Sequence, residues 1–135
     1  MKNKINWMRI FGFFSFLFLL VAFDFLLLYI GAFGVFSWID IPLHLLGGIL
    51  VGMSIFLTLN YLQDIEAIGL DNMTRFVFIV SFVSLFAVSW EFFEFLLTYI
   101  TGFGFQGNLN DTMADLFLGI LGGVLAGFYG FLTEK

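Results

Sequence analysis

The chain has 135 residues, of which 61% are hydrophobic, 11% are charged and 22 are Phe. Soluble domains carry roughly 25% charged residues, so this composition excludes an ordinary soluble domain and indicates a membrane protein. The net charge is −5, and the five basic residues are too few and too scattered for a nucleic-acid-binding surface. The sequence contains no Cys, which excludes disulfides and thiolate sites.

Four apolar segments are long enough to cross a bilayer, which takes about 20 residues. They are residues 10–33, 41–62, 76–100 and 112–132, and two Gly-rich segments and one polar segment separate them. The sequence therefore predicts an all-α membrane protein with four transmembrane helices, forming a single transmembrane domain over residues 1–135. The first segment has a basic start like a signal peptide, but its length and the lack of a cleavage pattern predict that it is retained.

The basic residues predict the orientation, because Lys and Arg concentrate in cytoplasmic segments. They lie before span 1, between spans 2 and 3, and after span 4, at Lys2, Lys4, Arg9, Arg75 and Lys135. We therefore expect both termini in the cytoplasm and both Gly-rich loops on the outer face of the cytoplasmic (inner) membrane.

Two stretches of the chain resemble each other. Residues 24–34 and 94–104 agree at seven of eleven positions, and the first position exchanges Asp24 for Glu94. After each stretch comes a short loop and then a second pattern, Asp40-x3-His44-x3-Gly48-x3-Gly52 in span 2 and Asp111-x3-Asp115-x3-Gly119-x3-Gly123 in span 4. The sequence thus predicts two copies of one helical hairpin, arranged as parallel repeats about an axis along the membrane normal.

Glycines recur every four residues in spans 2 and 4. They are Gly48 and Gly52 in span 2, and Gly119, Gly123 and Gly127 in span 4. Faces of small residues let helix backbones approach closely in lipid. We therefore expect spans 2 and 4 to pack against each other.

Ionisable side chains gather in the outer half of the predicted spans. At about 1.5 Å per residue, the deepest of them lie roughly 10–14 Å from the outer ends. A carboxylate inside a bilayer costs about 2.5–3.5 kcal/mol even on lenient scales, so these groups should face inward and be neutralised by protons, partners, water or metal. The members are Asp24, Asp40, His44, Glu91, Glu94, Asp111 and Asp115.

Each of these residues also has a structural interpretation. Asp40 and Asp111 begin helices, where Asp is a favoured N-cap. His44 and Asp115 suit hydrogen-bonded residues inside a bundle. The remaining three, Asp24, Glu91 and Glu94, suit protonated acids that link helices.

The functional interpretation is a divalent-metal site. Carboxylates with one imidazole suit Zn, Mn, Fe or Mg by ligand type. Such a metal activates water, which would permit hydrolysis or group transfer on an envelope lipid or lipid-linked substrate.

Two other functions remain open at this point. A proton, cation or solute carrier also needs intramembrane acids, and we expect a homo-oligomer in that case because four spans enclose little volume. A non-catalytic membrane component would use the acids only to stabilise the bundle, and then no cofactor is required. In every case the lipid bilayer is the expected partner.

These motifs resemble a known family. Residues 106–115 resemble the Gln-Gly-Asp-x-x-Asp-x-x-x-Asp signature of the YjdF-like bacterial membrane proteins, with Asn108 where the signature has Asp. Asp40-x3-His44-x3-Gly48 and the acidic helix around Glu91 and Glu94 resemble two further elements of that family. VanZ-like proteins are similar more distantly, through the Asp-x3-His pattern. The resemblance implies a shared site rather than a particular reaction.

Overall fold

The computed structural model describes residues 7–133, with side chains at all of these positions except 7–10, 13 and 37. The described residues fold into helices and short connections, which confirms the predicted all-α class for this part of the chain. The helices are α1 (Trp7–Tyr29), α2 (Ala32–Val35), α3 (Asp40–Asp64), α4 (Asn72–Thr101) and α5 (Leu109–Thr133). A 3-10 turn, Ser37–Ile39, joins α2 to α3.

The longer helices have the character of membrane spans. By length and composition, α3, α4 and α5 can cross a membrane, whereas the apolar stretch found within the described part of α1, Phe14–Tyr29, is shorter. Large apolar side chains cover the outside of the bundle, including Phe11 and Phe18, which are 69% and 71% exposed. An extensive apolar surface of this kind marks contact with a membrane.

The helix boundaries differ from the predicted spans mainly at the first connection. Residues 10–33 were predicted as one span, but α1 ends at Tyr29 and α2 is a separate turn. Gly31 between them has a φ of +71°, which glycine adopts without the steric cost that a Cβ would impose. The apolar composition of this stretch hides the break, because it continues on both sides of the glycine.

The start of α4 corrects the predicted position of Arg75. Asp71 caps this helix by accepting hydrogen bonds from the hydroxyl of Thr74 at 2.6 Å and from its backbone N–H at 2.9 Å. Both hydrogen bonds lower the pKa of Asp71 below its usual value, and the bond from the hydroxyl has the larger effect. Because α4 begins at Asn72, Arg75 lies in its first turn and not in a loop.

Arg75 fastens the start of α4 to α3. Its side chain is buried, its guanidinium donates a hydrogen bond to Oδ1 of Asn60, and it lies 5.6 Å from the centre of the Phe56 ring. Five basic residues were used to predict the orientation, and Arg75 is the one whose side chain the structure describes. Lys2, Lys4, Lys135 and the side chain of Arg9 lie outside the described residues.

The contact between α3 and α5 depends on glycines. A Cβ at Gly48 would collide with the backbone oxygen of Gly119, and a Cβ at Gly122 would collide with the backbone oxygen of Leu45. Further along both helices, a Cβ at Gly130 would lie 2.7 Å from the Phe56 ring. Since the contacts advance in the same direction on both helices, α3 and α5 run parallel.

A second small-residue face of α5 packs against α4. A Cβ at Gly123 would lie 2.7 Å from Val83, and one at Gly127 would lie 3.0 Å from the Phe76 ring. The order of these contacts is reversed, so α4 and α5 run antiparallel. Thus α5 lies between α3 and α4, and its glycines serve two interfaces instead of the single one that the four-residue spacing predicted.

The remaining packing completes the bundle around this trio. A core cluster of Phe56, Leu59, Ile79 and Val83 joins α3 to α4. The first helix packs along α3. It also reaches α4 through Phe25, whose ring centre lies 6.5 Å from that of Trp90 and 6.2 Å from that of Phe93.

We expect Gly122→Val to lower the thermal stability of the purified protein. The added side chain would push α5 away from the backbone of α3 at Leu45, and overpacking of this kind costs about 1–3 kcal/mol. Gly12→Val is the matched control, because nothing lies within 4 Å of a Cβ at Gly12. Unfolding temperatures in detergent, followed by circular dichroism, give the comparison. Equal temperatures for the two variants would contradict the close α3–α5 contact.

We expect Asn60→Leu to destabilise the bundle because it removes an acceptor from the buried guanidinium of Arg75. Such a loss costs about 1–3 kcal/mol. The double variant Asn60→Leu/Arg75→Met should recover part of that loss, since it replaces both polar partners by apolar groups. The measurement is a double-mutant cycle of unfolding free energies. Additive effects would show that the two side chains do not interact.

Candidate functional site

Three of the predicted site residues meet within the first two turns of α3 and α5. His44 Nε2 lies 3.3 Å from Oδ1 of Asp40, one helical turn earlier on α3, and 3.8 Å from Oδ1 of Asp115 on α5. Each residue offers one potential ligand atom, and the three atoms lie within 4.8 Å of one another. We call Asp40, His44 and Asp115 the polar triad.

The glycine contact between α3 and α5 positions the triad. Gly48 and Gly119 each lie four residues after a triad member, His44 and Asp115 respectively, and therefore one turn further along the same helix. Their backbones approach so closely that a Cβ on Gly48 would collide with Gly119. Parallel helices in close contact bring residues at equal heights together, so the triad is a direct consequence of this packing.

The triad is largely shielded from the surroundings. The Asp115 side chain is 8% exposed, that of His44 is 13% exposed and that of Asp40 is 23% exposed. A charge this far removed from water is costly unless it is paired. The contacts between the imidazole and the two carboxylates provide that pairing.

Three further acids surround the triad. Asp24 on α1 is buried and interacts electrostatically with Asp40 and His44. Glu91 and Glu94 lie one turn apart on α4, and each of them interacts electrostatically with His44. All four long helices therefore contribute an acid or the imidazole to one end of the bundle.

The two glutamates differ in their hydrogen bonding. Glu94 Oε1 accepts a 2.8 Å hydrogen bond from the indole N–H of Trp90. Glu91 is 6% exposed and its side chain is hydrogen-bonded to Thr112, but its Oε1 has no hydrogen-bond partner among the described residues. A buried oxygen without a partner costs about 1–3 kcal/mol, so this position calls for a ligand, a proton or water.

Asp111 is not a member of the triad, although it interacts electrostatically with Asp115 and Glu91. It is exposed in the first turn of α5, and its carboxylate occupies the space that a Cβ on Gly107 would need. The N-cap role that the sequence allowed for it belongs instead to Asn108, whose Oδ1 accepts hydrogen bonds from the backbone N–H groups of Asn110 at 2.9 Å and Asp111 at 3.3 Å. Asn and Asp are equally good caps, so Asn108 at this position of the family signature preserves the helix start.

Asp40 is likewise a first-turn residue rather than a cap. It is the first residue of α3, whose N-cap position is occupied by Ile39 without a side-chain hydrogen bond. Its carboxylate instead faces His44. The capping interpretation is therefore not needed to explain either Asp40 or Asp111.

A threonine anchors the loop that leads into α5. The hydroxyl of Thr98 on α4 accepts hydrogen bonds from the backbone N–H groups of Phe105 at 3.0 Å and Gln106 at 2.9 Å. These bonds hold the loop against α4 shortly before α5 begins. Sequence reasoning missed Thr98, and it also missed Trp90, since neither residue type is distinctive within an apolar span.

The helix-packing glycines lie where the helices meet. Gly52 approaches α5, with a Cβ position 2.6 Å from Cβ of Ala126. Gly122 and Gly130 fall outside the four-residue glycine series, one residue before Gly123 and three residues after Gly127. Neighbouring positions on a helix point about 100° apart, which is why Gly122 and Gly123 serve different neighbours.

Comparison with known proteins identifies the family. A family model described as a predicted membrane protein, DUF2238, matches residues 3–135, which is nearly the whole chain. This is the family of the YjdF-like proteins that the motifs resemble, whereas the more distant resemblance to VanZ-like proteins finds no support and stays a prediction. No curated protein and no solved structure matches the chain. The chain therefore belongs to the DUF2238 family of predicted membrane proteins.

Proposed function

We propose that the polar triad is a divalent-metal site of a membrane-embedded hydrolase or transferase that acts on envelope lipids or lipid-linked substrates. The observation that carries this proposal is the convergence of one imidazole nitrogen and two carboxylate oxygens within 4.8 Å. They come from two parallel helices inside a bundle suited to the membrane.

The distances agree with a shared ion. Metal–nitrogen and metal–oxygen bonds of about 2.1 Å in tetrahedral geometry place two ligand atoms about 3.4 Å apart. The observed separations of 3.3 Å and 3.8 Å from His44 Nε2 are close to that value. Zn, Mn, Fe and Mg each accept such ligands, and imidazole favours the first three.

The charge of the region supports a cation as well. Asp24, Glu91 and Glu94 add three acids around the triad, while His44 is the only basic group that the described residues place among them. A divalent ion would offset this excess. Glu91, with its unpartnered Oε1, is then the group best suited to hold or accept a proton from water at the site.

The arrangement favours this function over a carrier. A proton or cation pathway needs polar groups through the full depth of the membrane. In the half of the described bundle that lies away from the triad, the buried polar residues are Ser54, whose hydroxyl donates to the backbone oxygen of Leu50, and Arg75. The glycine-packed interfaces of α5 occupy the rest of that depth.

We also infer that the chain crosses the membrane four times, as two copies of one hairpin. The parallel, closely packed α3 and α5 support this, because each begins with the polar pattern that repeats in the sequence. The apolar stretch Phe14–Tyr29 on α1 provides the additional crossing. On this arrangement the triad faces the outer side of a bacterial inner membrane, and both termini are cytoplasmic.

We expect purified wild-type protein to contain a stoichiometric divalent metal and His44→Ala and Asp115→Asn to lose it. His44→Ala removes one of the three ligand atoms, and Asp115→Asn replaces an anionic carboxylate by a neutral and weaker amide ligand. Asp64→Asn is the matched control, because Asp64 is an exposed acid at the opposite end of α3 from Asp40. The measurement is elemental analysis after purification without chelators.

A second readout separates metal binding from a purely structural triad. A bound metal stabilises the folded state by mass action, so a chelator should lower the unfolding temperature of wild type and of Asp64→Asn. It should leave that of His44→Ala unchanged. Wild-type protein without metal, and with no response to added Zn, Mn, Fe or Mg, would refute the metal site and favour an ion-paired structural role for the triad.

We expect Gly69→Cys and Gly104→Cys to be labelled from opposite sides of the membrane. The chain has no native Cys, and both glycines lie in connections with nothing within 4 Å of an added Cβ. In intact spheroplasts, a membrane-impermeant maleimide should modify Gly104→Cys, and Gly69→Cys only after permeabilisation. Labelling of both from the same side would contradict the proposed orientation and the crossing of α4.

A further inference from the structure

A cavity of about 240 Å³ adjoins the polar triad. It lies between α1, α3 and α4 and reaches α5 at Gly119. His44 belongs both to the triad and to the cavity wall. Any molecule held in this cavity therefore has one end at the candidate metal site.

The cavity is polar at one end and apolar along the rest of its length. Its walls are formed by residues 17–24 of α1, 43–51 of α3 and 83–90 of α4, each spanning about 10–12 Å at the helical rise. Within these segments the polar side chains that line the cavity all lie at the end nearest the triad. They are Asp24, His44 and Trp90.

The cavity reaches the outside of the bundle beside Phe86 of α4. The helices α1 and α4 meet through the ring of Phe25, which contacts Trp90 and Phe93 at the polar end. Further along α4, Phe86 lines the cavity and is nevertheless 53% exposed on the outside of the bundle. The mouth therefore faces the hydrocarbon of the bilayer that surrounds the helices.

Two adjacent glycines on α3 have different roles. Gly48 is required by packing, since a Cβ there would collide with Gly119. A Cβ at Gly47 would meet only the Cδ2 methyl of Leu20, at an ordinary contact distance of 3.8 Å. Helix packing therefore does not demand a glycine at position 47, and the missing side chain instead leaves the cavity open.

We propose that this cavity holds an acyl chain of a bilayer phospholipid, with the phosphate head group at the Asp24–His44 end. Apolar cavities of about 150 Å³ already stay dry and take up apolar molecules, and lipid hydrocarbon is the apolar molecule present at the mouth. The amphipathic lining matches the amphipathic lipid.

The position of the phosphate depends on the function proposed above. Asp24, Asp40 and Asp115 would repel a bare phosphate, so the head group can approach only if a divalent cation occupies the triad. The acyl-chain site carries no such condition, because its walls are apolar. The inference thus narrows the substrate class of the proposed enzyme to phospholipids.

The test is native mass spectrometry of protein extracted from its own membrane in mild detergent. We expect one phospholipid retained per wild-type chain and at least fivefold less in Gly47→Leu, whose side chain would fill the cavity. Gly12→Leu is the matched control, because Gly12 lies on the open outer side of α1. It should retain lipid as wild type does.

A second variant guards against misfolding of the first. Leu20→Phe narrows the cavity from the α1 side and should also reduce lipid retention at an unchanged unfolding temperature. Equal retention by wild type, Gly47→Leu and Leu20→Phe would overturn the acyl-chain site, and a retained lipid without phosphate would overturn the head-group assignment.

The lipid-retention experiment and the metal analysis can fail independently of each other. If metal is bound at the triad but lipid retention is the same in wild type and in both cavity variants, the lipid site alone is refuted. Lipid retention that responds to the variants in a metal-free wild-type protein refutes the proposed enzyme and keeps the acyl-chain site. In that case the head-group assignment also fails, because the carboxylates at the Asp24–His44 end would repel a bare phosphate.

Discussion

The close approach of α3 and α5 is the constraint on which the rest of this structure depends. Without side chains at Gly48 and Gly122, the two backbones come into direct contact. Lipid provides no hydrophobic force to drive helices together, so close packing of small residues must supply the attraction. Because the helices run parallel and begin at the same end of the bundle, that contact also brings His44 within 3.8 Å of Asp115. The interaction that stabilises the fold therefore also assembles the site.

The membrane explains why the acids collect at one end. An acid facing lipid would cost several kcal/mol, and in this protein four helices share that cost by directing their acids toward one imidazole. The opposite half of the bundle is packed by glycines, Val83 and Ile79, with Arg75 bound to Asn60 near the end of α3. The division into a polar end and a tightly packed end is what makes a fixed binding site a better interpretation than a through-going pathway.

The sequence predicted the helical class because hydropathy is a strong signal in a membrane protein, and the rarity of charge is what made the acids within the spans candidates. Its four-residue spacings paired Asp40 with His44 and Asp111 with Asp115, whereas the structure brings Asp115 and not Asp111 to His44. The sequence did not predict the break at Gly31, because the residues on both sides are apolar. It placed Arg75 in a loop because an arginine close to an apolar segment normally marks its boundary, whereas Asn60 and Phe56 allow it to be buried. Nor did it predict the second glycine face, since that requires knowing that α5 has two neighbours.

The position of α1 links the site to the cavity. Its contacts lie mainly along α3, and it meets α4 through the aromatic group around Phe25. A shift of α1 away from α4 would widen the mouth beside Phe86 and would also move Asp24, which lies on α1 at the polar end of the cavity. One helix, α1, would therefore affect both the width of the cavity mouth and the distance of the Asp24 carboxylate from His44. A lipid chain held in the cavity would end next to Asp24 and His44, on the side of α3 that is lined by Gly47.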